Sequence, residues 1–221
     1  MYLSRVEIDT KNRQKLKNFT HLGAYHNWVE QGFPDEINHG ERRRHLWRLD
    51  QLTGKNYLLV LSENEPNKGQ LEKYGVLGTA TTKSYDQFLD TIKIGDIMRF
   101  RLTANPSYTA PRPGQKRGRI YPCVTIARQR QWLIKKAQAA GFKLVWQQPA
   151  IDEVDGFVFD VVSRDYPMLH RKTGHGVHLS RVVFEGLLQV QDLTAFKGTL
   201  IKGLGREKAF GMGLMTVIAT V

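Results

Sequence analysis

Four glycines crowd the stretch Leu200–Val217, and they decide where the last helix of this chain must stop and its last strand begin. Leu193, Phe196, Leu200 and Leu204 recur at helical spacing, so a helix is expected to run up to Gly203 or Gly205, where glycine accepts a left-handed end. Beyond Gly211-Met212-Gly213, the run Leu214-Met215-Thr216-Val217-Ile218 reads as a buried strand. Between them, Arg206 and Lys208 put positive charge beside glycines whose N–H groups can approach a phosphate. Gly203, Gly205, Gly211, Gly213, Arg206 and Lys208 are therefore candidate contacts to a polyanion. The competing reading, stronger when this stretch is taken alone, is that the glycines only cap a helix, make a turn and let a strand pack closely. Gly-x-Gly here follows a helix and precedes a strand, the reverse of a dinucleotide fingerprint, and no Walker motif is present. No nucleotide cofactor is expected.

Charge narrows the partner: 33 Lys and Arg against 21 Asp and Glu give +12. On an ordinary globular composition this favours nucleic acid over an acidic membrane. No apolar run approaches the roughly 18 residues of a spanning helix, and the opening residues read as a strand, so a soluble, cytoplasmic protein with no membrane partner is expected. A lone Cys123 excludes an internal disulfide framework and a cysteine-based zinc site.

Along the chain, Tyr2 to Ile8 reads as a first strand and Asp9 to Asn18 as a loop. Tyr25, Trp28, Val29 and Phe33 mark a short amphipathic helix from about Ala24, closed by Pro34. His26 lies about 100° round from Tyr25, on the shoulder of the apolar stripe, with Glu30 one turn on. The charge run Arg42-Arg43-Arg44 passes into a strand through Leu49 that pairs with Tyr57–Leu61 as a hairpin. Residues 62–94 are expected to be mostly irregular, and Ile97 to Leu102 forms a strand. Strand, helix, hairpin and strand is the order of a ferredoxin-like domain.

Pro106 to Arg119 reads as a basic linker or loop carrying Lys116, Arg117 and Arg119. Thr125 caps a helix that Gly141 stops, one face of which presents Arg128, Gln131 and Lys135. Strands follow at Lys143–Trp146, Phe157–Ser163 and Leu179–Val190. His170, His175 and His178 lie in the basic segment 164–178, but no carboxylate or cysteine spacing there supports a metal site. The expected fold is α+β, with two tandem ferredoxin-like (RNA-recognition-motif-like) domains at 1–110 and 111–221.

Five features in this order carry a resemblance: the opening Met1-Tyr2-Leu3-Ser4-Arg5-Val6, the His26 helix closing at Phe33-Pro34, Phe100-Arg101-Leu102-Thr103-Ala104-Asn105-Pro106, Val183-Phe184-Glu185-Gly186, and the Gly203–Leu214 loop. Together they resemble the CasE family, the repeat-processing endoribonucleases of the type I-E CRISPR Cascade complex. The resemblance implies a protein that binds the stem-loop of CRISPR repeat RNA and cuts once at the 3′ side of the stem. It implies cutting without a metal, leaving a cyclic phosphate and a 5′ hydroxyl. It also implies that the protein stays on the mature crRNA beside other Cascade subunits. The register from Phe33-Pro34 puts the family's histidine at His26 and leaves His21 in the preceding loop. Similar proteins often carry a tyrosine three residues before it, where this chain has Gly23; Tyr25 is adjacent instead. Lys172, Arg171 and Lys208 are candidates for transition-state cations, and Arg164, Arg171 and Lys172 for a basic hairpin lying on the RNA stem. A non-catalytic RNA-binding subunit of the same fold is the alternative.

Overall fold

The computed structural model describes residues 1–17, 19, 21–41, 43–115, 118–148, 155–169 and 176–220. The chain divides into two compact units: 1–91 with 168–177 and 207–214, and 92–167 with 178–206 and 215–221.

The first unit runs β1 (Tyr2–Glu7), α1 (Arg13–Leu16), α2 (Leu22–Gln31), α3 (Pro34–Asn38), β2 (Leu46–Leu52), β3 (Lys55–Ser62), α4 (Lys68–Glu72), β4 (Thr81–Ser84) and α5 (Asp86–Thr91). Its sheet has the order β2-β3-β1-β4. With α2 and α4 as the crossovers this is a ferredoxin-like β-α-β-β-α-β unit. The β2–β3 hairpin turns through Thr53 and Gly54, both at positive φ (48° and 76°), as a two-residue turn matched to the strand twist requires. The core gathers Val6, Trp28, Val29, Trp47, Val60 and Leu71, all fully buried. The Trp28 indole N–H donates to the Leu71 carbonyl at 3.0 Å, which ties α2 to α4 without leaving a buried donor unpaired.

The second unit repeats the plan with β5 (Ile97–Ala104), β6 (Ser107–Ala110), β7 (Arg119–Pro122), α6 (Ile126–Ala137), β8 (Phe142–Leu144), β9 (Phe159–Asp165), β10 (Met168–Leu169), β11 (Val177–His178), β12 (Arg181–Val190), α7 (Leu193–Lys202) and β13 (Met215–Ala219). β10 and β11 flank residues 170–175, and Met168 to Val177 fall in the first unit although the strands on either side of them belong to the second. The larger sheet has the order β13-β5-β12-β8, with β9 on the same long strand β12. Val190, Leu188 and their neighbours pair with β8, whereas Arg181 to Gly186 pair with β9.

Three sequence expectations change here. β5 does not close the first sheet; it is the first strand of the second, paired with β12 and β13, so the division falls at 91/92 instead of 110/111. The first unit's fourth strand is β4, inside the stretch read as irregular. The basic segment 106–119 is no plain linker either, because its ends form the two strands β6 and β7 with Tyr108 opposite Tyr121. No helix among the described residues is long and apolar enough to cross a membrane.

Arg130 on α6 grips Asp155 with two guanidinium nitrogens and lies over the Phe159 ring at 4.1 Å. The hydrogen bond from Arg130 holds the Asp155 carboxyl below the usual aspartate range. A depressed carboxyl stabilises the fold above its unfolded pKa, and that contribution is lost as pH falls through the folded value. Asp155→Asn is expected to cost about 1–3 kcal/mol at neutral pH. The cost should shrink as the medium is acidified. Urea melts of parent and variant at a series of pH values check this, and an equal gap at every pH would contradict it.

Candidate active site

His26 sits in the second turn of α2 with its side chain 36% exposed, on the shoulder that the helical spacing assigns it. Its Nδ1 lies 3.9 Å from Oε1 of Glu30. The Phe210 ring stands 6.0 Å from the imidazole, at 59° to it. Phe210 ends a single 3₁₀ turn, Lys208–Phe210, which packs on both α2 and β2. Two bonds fasten this loop to β2: the Trp47 indole N–H donates to the Ala209 carbonyl at 3.1 Å, and Arg48 donates to the Leu214 carbonyl at 3.1 Å. The sequence treats the histidine helix and the glycine-rich loop as separate candidates; within the first unit the fold brings them together.

Lys208 is half-buried, and its ammonium is pushed below the ordinary lysine range, first by burial and then by the charge of Arg44. An incoming anion would offset both effects. Tyr25 points elsewhere than His26. Its ring packs against Phe19, Trp47 and Trp28 at centroid distances of 4.6, 6.0 and 6.4 Å. His21 is the exposed N-cap residue of α2 and its side chain makes no capping bond.

In the second unit, Arg128 and Lys135 lie exposed on α6 seven residues apart, hence on one face. The Thr125 hydroxyl caps that helix by accepting from the Arg128 N–H at 3.3 Å. Arg119 is exposed on β7 with its guanidinium 5.3 Å from the Tyr121 ring centre, and Arg164 is exposed on β9. Arg206 is exposed, with Nη2 3.5 Å from the Thr109 hydroxyl. Lys116, Arg117, Arg171 and Lys172 lie outside the described residues, as do His170 and His175.

Gly211 and Gly213, phosphate-contact candidates by sequence, are buried. A β-carbon on Gly211 would fall 2.6 Å from the Trp47 ring, and its φ is +77°. Close packing explains that glycine. Gly203 and Gly205 are half-buried, and a β-carbon on Gly205 would meet the Trp132 ring at 3.1 Å.

The CRISPR associated protein family model matches residues 1–219. The chain belongs to this family. Among its relatives is the CRISPR-associated endoribonuclease Cse3 of Thermus thermophilus, 26% identical over 224 residues that span 98% of this chain and 99% of that protein. In fold this CRISPR-associated protein is similar to Thermus thermophilus Cse3 bound to an RNA representing a pre-cleavage complex, with a TM-score of 0.77, 23% identity and 98% of each chain covered. It is also similar to a chain of a CRISPR RNA-guided surveillance complex, with a TM-score of 0.62, 20% identity and full coverage of both.

What the sequence of this CRISPR-associated protein conceals is His45, next to the arginine run. Its imidazole is buried, stacked on Phe33 at 3.8 Å and 4°, with Nδ1 2.9 Å from the same Glu30 oxygen that faces His26. The strand pattern of 46–49 gave no signal for it, because a histidine following three arginines reads as part of a solvated run.

Proposed function

We propose that this chain is a metal-independent endoribonuclease that binds the stem-loop of CRISPR repeat RNA and cuts the precursor once at the 3′ side of the stem. The end-to-end likeness to an endoribonuclease carries the reading. The half-exposed imidazole of His26 supplies the chemistry. One ring nitrogen takes the proton of the RNA 2′-hydroxyl, the oxygen attacks the adjacent phosphorus, and the 5′ oxygen leaves with a proton. The products are a 2′,3′-cyclic phosphate and a 5′ hydroxyl. Imidazole can serve as base or acid near neutral pH, a contribution of roughly 10²–10⁴ in rate. The remainder falls to in-line positioning and to cations near the phosphorane-like charge, for which Lys208 is the described candidate. Tyr25, held among other rings, supports the helix more than the reaction.

Arg119, Arg128, Lys135, Arg164 and Arg206 are the described candidates for RNA contacts, together with Lys116, Arg117, Arg171 and Lys172. A-form stems are recognised chiefly through shape and phosphates, which suits exposed arginines and lysines. The protein acts in the cytoplasm and remains on the mature crRNA with other Cascade subunits.

A denaturing gel of the cognate repeat hairpin, incubated with the protein in excess EDTA, tests the class. One discrete cut is expected; intact RNA with tight binding would replace the enzyme by a non-catalytic RNA-binding subunit. Affinity should also fall steeply with added salt. Arg128→Ala and Lys135→Ala should each lower the slope of log affinity against log salt by about one. A binding titration at several salt concentrations reads this, and salt-independent affinity would contradict the phosphate contacts.

A further inference from the structure

We infer that Glu30 is a positioning residue for His26 and that His45, backed by Glu36, holds Glu30 in place, an assignment that rests on His26 being the reacting imidazole. A glutamate one turn from a histidine on an exposed helix ordinarily samples several rotamers, and such a pair adds little by itself. Glu30 is 32% exposed, yet its Oε1 is held at 2.9 Å by Nδ1 of His45, whose side chain is 2% exposed. His45 itself has little room to move, being stacked face to face on Phe33. Behind it, Nε2 lies 3.2 Å from Oε2 of Glu36, an ionic contact in which neither atom makes a hydrogen bond. The other oxygen of Glu36 accepts from the Asn64 side-chain amide at 2.8 Å.

The result is a row within the first unit, Asn64, Glu36, His45, Glu30, His26, that passes from an exposed amide through a buried glutamate and a buried imidazole to a half-exposed one. Burying a histidine and a glutamate costs free energy that an apolar pair would avoid. What they give in return is direction. A carboxylate oxygen fixed at the Nδ1 edge of His26 favours the tautomer with the proton on Nδ1 and leaves Nε2 with a lone pair for the RNA hydroxyl. The same arrangement orients catalytic and metal-bound histidines, where losing the outer partner costs roughly 10–100-fold. The 3.9 Å separation is long for a hydrogen bond, as catalytic contacts often are before substrate closes them.

The test combines three measurements: single-turnover cleavage of the repeat hairpin, its dissociation constant, and the ring ¹⁵N spectrum of His26 in the free protein. Glu30→Gln keeps an oxygen for His45 and removes the charge; it should lower the cleavage rate roughly 10–100-fold while leaving RNA affinity and the melting temperature near parental. His45→Phe should do the same. His45→Asn, whose amide can replace Nδ1 as donor, should recover part of the rate. The parent spectrum should show the Nδ1-protonated tautomer of neutral His26, and Glu30→Gln should shift it toward Nε2. In the His26→Ala background, Glu30→Gln should change nothing further. Should His26→Ala cut like the parent, the catalytic assignment of His26 fails, and this one with it. If His26→Ala is inactive while Glu30→Gln and His45→Phe cut at the parental rate, only the positioning role is overturned. A parent in the Nε2 tautomer, or a rate loss matched by equal loss of affinity or folding, overturns it equally.

Discussion

His26→Ala is expected to lower repeat-RNA cleavage by roughly 10²–10⁴-fold while binding stays close to parental. The side chain is 36% exposed, lies outside the buried core and faces Glu30 and the Phe210 ring. Truncating it opens no core cavity, so the fold should be spared. His21→Ala should have a much smaller effect, because His21 stands at the N-cap of α2, exposed and without a capping bond. Single-turnover cleavage in EDTA, run beside a binding titration for both variants, distinguishes them. Parental cutting by His26→Ala, or an inactive His21→Ala alone, would move the catalytic residue elsewhere.

Gly211→Val should destabilise the folded protein strongly and lower its soluble yield. The left-handed backbone costs a side-chain-bearing residue about 1–2 kcal/mol. Forcing atoms into the ring of Trp47 adds about 1–3 kcal/mol. Together these remove a large share of the roughly 5–15 kcal/mol that holds a domain. Gly78 is an internal control: it has nearly the same φ, +78°, but no atom within 4 Å of where its β-carbon would lie. Gly78→Val should therefore show the backbone cost alone. Soluble yield and circular-dichroism melts measure both. A well-folded Gly211→Val protein that fails to bind RNA would restore the phosphate-contact reading of the glycine-rich loop.

Much of the local structure was legible because its signals are local. The Tyr25–Phe33 spacing places α2, Thr125 and Gly141 bound the α6 segment, and the Gly203 stop and the following apolar run place α7 and β13. Partnership was not legible. The periodicity of Ile97–Ala104 identifies a strand, but its neighbour β12 lies some eighty residues on, joined across the pair by Arg101 and Glu185. β4 escaped notice because Thr81–Ser84 has no apolar alternation; it is an edge strand fixed to β1 partly by the Ser4 and Thr82 hydroxyls, 2.9 Å apart. At the site, periodicity puts His26 on a shoulder, and only the family resemblance makes it a candidate catalyst. That the turn Lys208–Phe210 packs on the same helix, and that His45 reaches Glu30, follow from tertiary packing that no spacing encodes.

The central claim is that the RNA supplies its own nucleophile. The most direct measurement compares two repeat hairpins in excess EDTA, one all-ribose and one with a single 2′-deoxy nucleotide immediately 5′ to the scissile phosphate. The account expects the first to be cut once, giving a 2′,3′-cyclic phosphate and a 5′ hydroxyl, and the second to be bound as tightly but left intact. Cleavage of the deoxy hairpin at the same position, or cleavage of either RNA only when a divalent metal is restored, would contradict it.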